Sequence, residues 1–267
     1  MSAGLSGSLR VVGLGPAGAE WRTAEAAEAL GRAQHVLGYH AYLSRLEEEL
    51  ARAARLSGAP PASLHGSDNG DELARARRAL ELTAQGQRVV LISGGDAGVF
   101  GMAAALFEAI DLGPASWRSL DVRVLPGVTA MLAAAARLGA PLGNDFCAIN
   151  LSDNLKPWST IERRLMLAAQ AGFVIALYNP ASRTRSEQVQ KAFVILRQHR
   201  VPSAVVMFAR AIGRPGEQLL VTTLEDADPA QADMQTLLLI GNATTRCIAR
   251  PGATPWVYTP RKLDGST

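Results

Sequence analysis

Lysine is almost missing from this chain of 267 residues. It stands only at positions 156, 191 and 262, and arginine makes up the rest of the 27 basic residues. Against 24 acidic residues the net charge is only +3, which excludes nucleic-acid binding by bulk charge. The arginine bias has two readings: a GC-rich genome, or guanidinium forks set against substrate carboxylates. Cysteine is as scarce. Cys147 and Cys247 are far apart and lack C-x-x-C spacing, so neither a zinc nor an iron–sulfur site assembles from them, and no metal is expected. No run approaches the roughly 18 apolar residues of a membrane helix, and the N-terminus lacks a charged segment leading into an apolar one. The expectation is a soluble, cytoplasmic protein with no membrane partner and no disulfide.

What is present points to a packed α/β protein. Hydrophobic residues make up 48% and charged residues 19%, which excludes disorder. The 25 glycines suit tight turns from strand to helix. Residues 9–14 (LRVVGL) read as a short buried strand, and Thr23 caps a helix running to about residue 33. A second strand is expected at 35–37 and a turn-rich loop at 57–70. A helix follows at 71–84, with arginine on its polar face. The β-branched run 88–92 stops at Ser93-Gly94-Gly95-Asp96, ahead of a helix from about 99 to 110. A strand at 122–125 and a helix at 128–138 come next.

The second half repeats this rhythm less regularly. Strands are expected at 146–151, 173–177, 204–208, 219–223 and 236–240, and helices at 161–171 and 186–199. The last two strands have little helix between them, which predicts antiparallel pairing. The Pro- and Gly-rich tail beyond Arg250 is expected to wrap the surface. Alternating strands and helices predict a mostly parallel sheet in residues 1–125, and residues 126–267 read as an α+β domain.

Three Gly-bearing loops follow three strands: Gly13-Leu14-Gly15-Pro16-Ala17-Gly18, Ser93-Gly94-Gly95-Asp96-Ala97-Gly98, and Leu125-Pro126-Gly127-Val128-Thr129-Ala130. In open α/β sheets ligands collect at the carboxyl ends of strands, so these loops predict one composite site. The first has the G-x-G-x-x-G spacing of dinucleotide sites. Pro16, however, removes a backbone N–H where a phosphate needs one, and no acid ends the second strand. In the second loop Asp96 either faces a ligand cation, amine or hydroxyl, or caps the following helix.

Taken together, the segments resemble the S-adenosylmethionine methyltransferases that modify uroporphyrinogen and precorrins. That family carries G-x-G-P-G after its first strand, G-G-D-P after a middle strand and P-G-x-[ST]-[AS] later. The matching residues are Gly13-Leu14-Gly15-Pro16-Ala17, Gly94-Gly95-Asp96-Ala97 and Pro126-Gly127-Val128-Thr129-Ala130. Longer matches run through Val99-Phe100-Gly101-Met102-Ala103, Leu151-Ser152-Asp153-Asn154-Leu155-Lys156-Pro157-Trp158, Ile161-Glu162-Arg163-Arg164-Leu165 and Leu177-Tyr178-Asn179-Pro180-Ala181-Ser182. These are similar to the branch that methylates precorrin-3B at C-17 with ring contraction to precorrin-4, in cobalamin biosynthesis. The likeness spans about residues 11–246. Ala17, Ala97 and His40 depart from the family pattern.

The resemblance implies two α/β domains with a cofactor cleft between them, in a homodimer. It implies S-adenosyl-L-methionine as cofactor, with S-adenosyl-L-homocysteine as its product. Pro16, Gly94, Gly95, Asp96, Val99, Thr129, Ala130, Tyr178 and Ala211 would line the cofactor. Ring contraction needs proton movement, for which His40, Asp153, Lys156 and Tyr178 are candidates. Arg163, Arg183, Arg185 and Arg210 are candidates for substrate carboxylates. The alternatives are another precorrin, cobalt-precorrin or uroporphyrinogen methyltransferase, a nicotinamide-dependent oxidoreductase, and a non-catalytic tetrapyrrole carrier.

Overall fold

The computed structural model describes residues 7–58, 60–181 and 187–262. Two units divide the polypeptide, Met1–Thr129 and Ala130–Thr267. The first runs Ser8–Gly13 (β1), Ala24–Gly31 (α1), His35–Tyr39 (β2), His40–Ser57 (α2), Ser63–Ser67 (β3), Glu72–Ala84 (α3), Arg88–Ser93 (β4), Met102–Leu112 (α4) and Asp121–Leu125 (β5). Its five strands lie in the order β3-β2-β4-β1-β5, and every pair is parallel. Val11 of β1 stands opposite Leu91 and Val124. Helices cover both faces, which is why the central strands are nearly continuous runs of Val, Leu and Ile. Val12, Val36 and Ile92 pack with Leu30 of α1 and with Leu43 and Leu46 of α2. Leu9, Val11, Leu37 and Leu91 pack with Leu80 of α3 and Leu106 of α4.

This division of helices follows from chain direction. From β1 the chain crosses past β4 to β2, and from β4 it crosses past β1 to β5. Right-handed crossovers in opposite directions put their helices on opposite faces. The connections therefore part between β1 and β4, the point where open α/β sheets take ligands.

Three expectations for this unit need correction. The predicted loop at 57–70 contains β3, an edge strand of small and polar residues (SLHGS) that pairs with β2. It carries no apolar run, so its pairing is a tertiary fact. The helix after β4 starts at Met102, three residues late, because the chain first makes a turn in which Phe100 has φ 52°. Arg75 of α3 is buried, not on a polar face; it donates to Ser67 Oγ at 2.7 Å and to the Asp68 carbonyl at 2.7 Å.

The second unit runs Ala130–Leu138 (α5), Gly139–Ala140 (β6), Phe146–Asn150 (β7), Trp158–Gln170 (α6), Val174–Tyr178 (β8), Gln188–His199 (α7), Val205–Arg210 (β9), Gln218–Thr223 (β10), Thr236–Ile240 (β11), Arg246–Arg250 (β12) and Ala253–Tyr258 (β13). Its main sheet has the order β10-β9-β11-β8-β7. β7 and β8 are parallel, β11 is antiparallel to both β8 and β9, and β10 is antiparallel to β9. The carboxyl ends of β7, β8 and β9 therefore share one edge. Ile161 and Leu165 of α6 and Phe193 and Leu196 of α7 pack on Ile175, Leu177, Val206 and Phe208. The predicted surface tail is instead a hairpin, β12–β13, whose second strand also pairs with β6. Among the described residues no helix is long and apolar enough to cross a membrane.

Candidate functional site

At the carboxyl edge of the first sheet, main chain meets main chain. Gly15 N donates to Gly95 O at 3.0 Å, and Gly95 N donates back to Gly15 O at 2.9 Å. Both glycines have positive φ, 73° and 64°, a conformation that side chains resist. A Cβ on Gly13 would stand 2.7 Å from Gly127 N and 2.8 Å from Gly95 O. The loops after β1, β4 and β5 are thus packed at glycine distance. Asp96 locks them together. Its Oδ1 accepts from Gly98 N at 2.7 Å, and its Oδ2 accepts from Gly127 N at 2.9 Å. One of the two expected roles for Asp96 is ruled out. It does not cap α4, whose N-cap is Gly101 without a side-chain bond. Both its oxygens are engaged by backbone, so any ligand meets a carboxylate already bound to its own loops.

Around this core, Pro16 and Val99 are half-buried and Thr129 is buried. Tyr42, on α2, closes over Gly94: a Cβ there would lie 2.6 Å from the phenol oxygen. His40 opens α2 on the surface, with its ring over Gly66 of β3.

Side chains build the edge of the second sheet. Tyr178 ends β8, and its hydroxyl accepts from Met131 N in the first turn of α5 at 3.1 Å. Ala130 is the first residue of that helix. Asn150 Oδ1 accepts from Ser152 N at 2.8 Å and from Asn179 Nδ2 at 3.0 Å. Asp153 accepts from Gln188 Nε2 at 3.1 Å. Gln188 is buried and its Oε1 has no partner among the described residues. Nothing in the sequence singled it out, because it reads as the polar face of a helix. Lys156 Nζ donates to Ser152 O at 3.0 Å. Burial, and then Arg164, push its ammonium below the usual lysine range, against the pull of Asp153. Arg163 and Arg164 line an open groove with Ser159, Thr160 and Leu167.

Ala211 follows β9 with φ 51°, and its N–H is bound to Gln235 O at 3.0 Å. Arg210 pairs through its Nε with Asp233 Oδ2 at 2.8 Å, so a substrate carboxylate would meet only its terminal nitrogens. Burial pushes the Asp233 carboxyl up, but bonds from Thr236 and Arg210 outweigh it and hold the group below the usual range. Arg183 and Arg185 lie outside the described residues. The non-glycine residues with positive φ, among the described residues, are Phe100, Asn179 and Ala211. All three lie in loops leaving the carboxyl ends of strands. Such conformations cost about 1–3 kcal/mol each and gather at functional sites.

At the first edge the candidate ligand site is made of glycine-rich backbone and one carboxylate bound by its own loops. The spacing Gly13-x-Gly15-x-x-Gly18 opens only a single 3-10 turn, Ala19–Trp21, and α1 starts later, at Ala24, capped by Thr23. A dinucleotide pyrophosphate has no α-helix N-terminus there to sit on, which weakens the oxidoreductase reading.

The chain belongs to the tetrapyrrole (corrin/porphyrin) methylases, whose family model matches residues 8–228. It is therefore an S-adenosylmethionine-dependent methyltransferase with the tetrapyrrole methylase fold. It is 52% identical over 263 residues to a precorrin-3B C(17)-methyltransferase of Sinorhizobium sp, covering 98% of this chain and 100% of the relative. A probable cobalt-factor III C(17)-methyltransferase of Salmonella typhimurium is 41% identical, over 89% of this chain and 93% of that one. The crystal structure of the methyltransferase CobJ superposes with TM-score 0.86 at 47% identity, covering 96% of this chain and 100% of that chain.

Proposed function

We propose that this chain methylates precorrin-3B at C-17, with ring contraction to precorrin-4, as a cytoplasmic homodimer in cobalamin biosynthesis. The observation that carries this reading is the 52% identity to the Sinorhizobium enzyme over 98% of this chain and 100% of that one. The donor set at the first sheet edge suits S-adenosylmethionine. Loops packed at glycine distance present backbone polar atoms, and Asp96 opposes a phosphate while tolerating a sulfonium or an ammonium. When bound, that cofactor supplies an activated methyl group for in-line transfer to a ring carbon.

The chain's own work is to bind and align. Gly94, Gly95 and Asp96 would hold the cofactor, with Pro16, Val99, Thr129 and Ala130, and Tyr178 and Ala211 on the second sheet. Alignment of the reacting atoms contributes up to about 7–11 kcal/mol to such a reaction. Asp153 is the favoured group for moving a proton in ring contraction, because Gln188 orients it and Lys156 bears on it. His40, Lys156 and Tyr178 are the other candidates. Arg163, beside Arg164, would meet a substrate carboxylate.

Incubation with precorrin-3B and methyl-labelled S-adenosylmethionine tests the reading. The expected product carries one added methyl and a contracted ring by mass and NMR. Methylation without contraction overturns it. The likeness to the Salmonella protein favours a second reading, in which the substrate already carries cobalt. Turnover of the cobalt-containing macrocycle alone would select it.

A further inference from the structure

The loop that leaves the carboxyl end of β9 holds two acid–base pairs and one arginine without an acid. Arg210 pairs through Nε with Asp233 at 2.8 Å. Arg137 of α5 pairs with Glu217 at 3.3 Å, and the other oxygen of Glu217 accepts from Gly213 N at 2.6 Å. Arg214 stands in the same loop. Among the described residues it joins no ion pair, and its buried Nε has no acceptor.

This is not a loose surface arginine. Its backbone N donates to Ala211 O at 3.0 Å, and its carbonyl accepts from Glu217 N at 3.0 Å. Gly213 and Gly216 turn the chain on either side with φ 75° and 84°, and the residue is half-buried. The root of the side chain is therefore fixed, and part of its guanidinium is withdrawn from water. A cationic donor that is buried without an acceptor is destabilising, and such groups persist where a ligand completes them. The planar fork matches a carboxylate.

We propose that Arg214 is a carboxylate fork of the substrate site, gripping an acid side chain on the rim of the tetrapyrrole. The proposal rests on the functional reading above. It places on Arg214 the part expected of Arg210, whose Nε is committed to Asp233. The macrocycle is favoured over the cofactor because it offers several carboxylates, whereas S-adenosylmethionine offers one, beside its own ammonium.

Arg214→Gln tests this role. The KM for precorrin-3B, and its dissociation constant in the presence of S-adenosylhomocysteine, should both rise about tenfold. S-adenosylhomocysteine affinity and kcat should stay within about twofold, and the melting temperature should be unchanged or higher. Sodium chloride should raise the KM of the unaltered protein more steeply than that of the variant, a difference that a structural role would not produce. Arg214→Lys keeps the charge without the fork, so its KM should lie about threefold above that of the unaltered protein. Unchanged KM and salt dependence in Arg214→Gln overturn the proposal. A matching loss of S-adenosylhomocysteine affinity also overturns it, and assigns the fork to the cofactor carboxylate. A lower melting temperature with unchanged substrate affinity overturns it and makes the side chain structural. Should Arg214→Gln fail to fold, Arg214→Lys decides, and an unchanged KM in that variant sinks the proposal. An unaltered protein that binds no tetrapyrrole sinks the functional reading, and this inference with it.

Discussion

At the carboxyl edge of β1, β4 and β5 the decisive contacts join main chain to main chain, with Asp96 as the one side chain that ties them. At the edge of β7, β8 and β9 side chains carry the contacts: Tyr178 to α5, Asn179 to Asn150, Gln188 to Asp153 and Arg210 to Asp233. The first edge has no room for added atoms. The second is built of polar atoms that can be removed one at a time. Backbone packed at glycine distance cannot relax around a new methyl group, whereas a side-chain network loses one bond and keeps the rest. The two edges should therefore fail in different ways.

Gly13→Ala should have the largest effect. Its Cβ meets three backbone atoms, two of Gly127 and one of Gly95, so the loops must separate. A loss of about 3 kcal/mol is expected in urea denaturation, with methyl transfer slowed on the order of a hundredfold. A variant with unchanged midpoint and turnover would break the comparison outright. Asp96→Asn comes next. The amide can accept from one of Gly98 N and Gly127 N, but it sets its own NH2 against the other. About 2 kcal/mol should be lost, and calorimetry should record weaker S-adenosylhomocysteine binding.

Tyr178→Phe probes the second edge with a single atom removed. Loss of the acceptor for Met131 N should cost about 1 kcal/mol. If this variant proves as damaging as Gly13→Ala, the contrast between the edges is wrong.

The smallest effect concerns pH, away from the site. His35 Nδ1 and His65 Nε2 are 3.0 Å apart on neighbouring strands. Burial, then His35 and Arg78, hold the His65 imidazole below its ordinary value of 6.5. The unfolded chain therefore binds the proton first. Stability from this group is complete above 6.5 and is lost as pH falls below that value. Denaturation midpoints of His65→Gln should show a shallower fall on acidification; an identical slope would rule the pair out as its source.

Much of the first edge was legible because glycine and proline act locally. The strand runs expected at 9–14, 88–92 and 122–125 marked the loops without knowledge of their partners. The reading was poorer wherever a residue's role is set by something distant in the chain. β3 lacks an apolar run and exists because β2 offers it an edge. Arg75 reads as a surface residue until Ser67 and Asp68 enclose it. Arg210 looked wholly available for substrate until Asp233, 23 residues on, engaged its Nε.

The sequence by itself determined the central strands of both main sheets, the capped start of α1 and the place of the glycine-rich turns, because hydrophobic runs, caps and turn residues act over a few positions. Only the tertiary structure decided that Asp96 bonds to Gly127 across 31 residues, that Gln188 lies buried behind Asp153, and that Phe100 is held in a strained backbone with its ring exposed. Those facts depend on which loops are brought to a common sheet edge, and chain topology settles that through long-range pairing that local patterns do not encode.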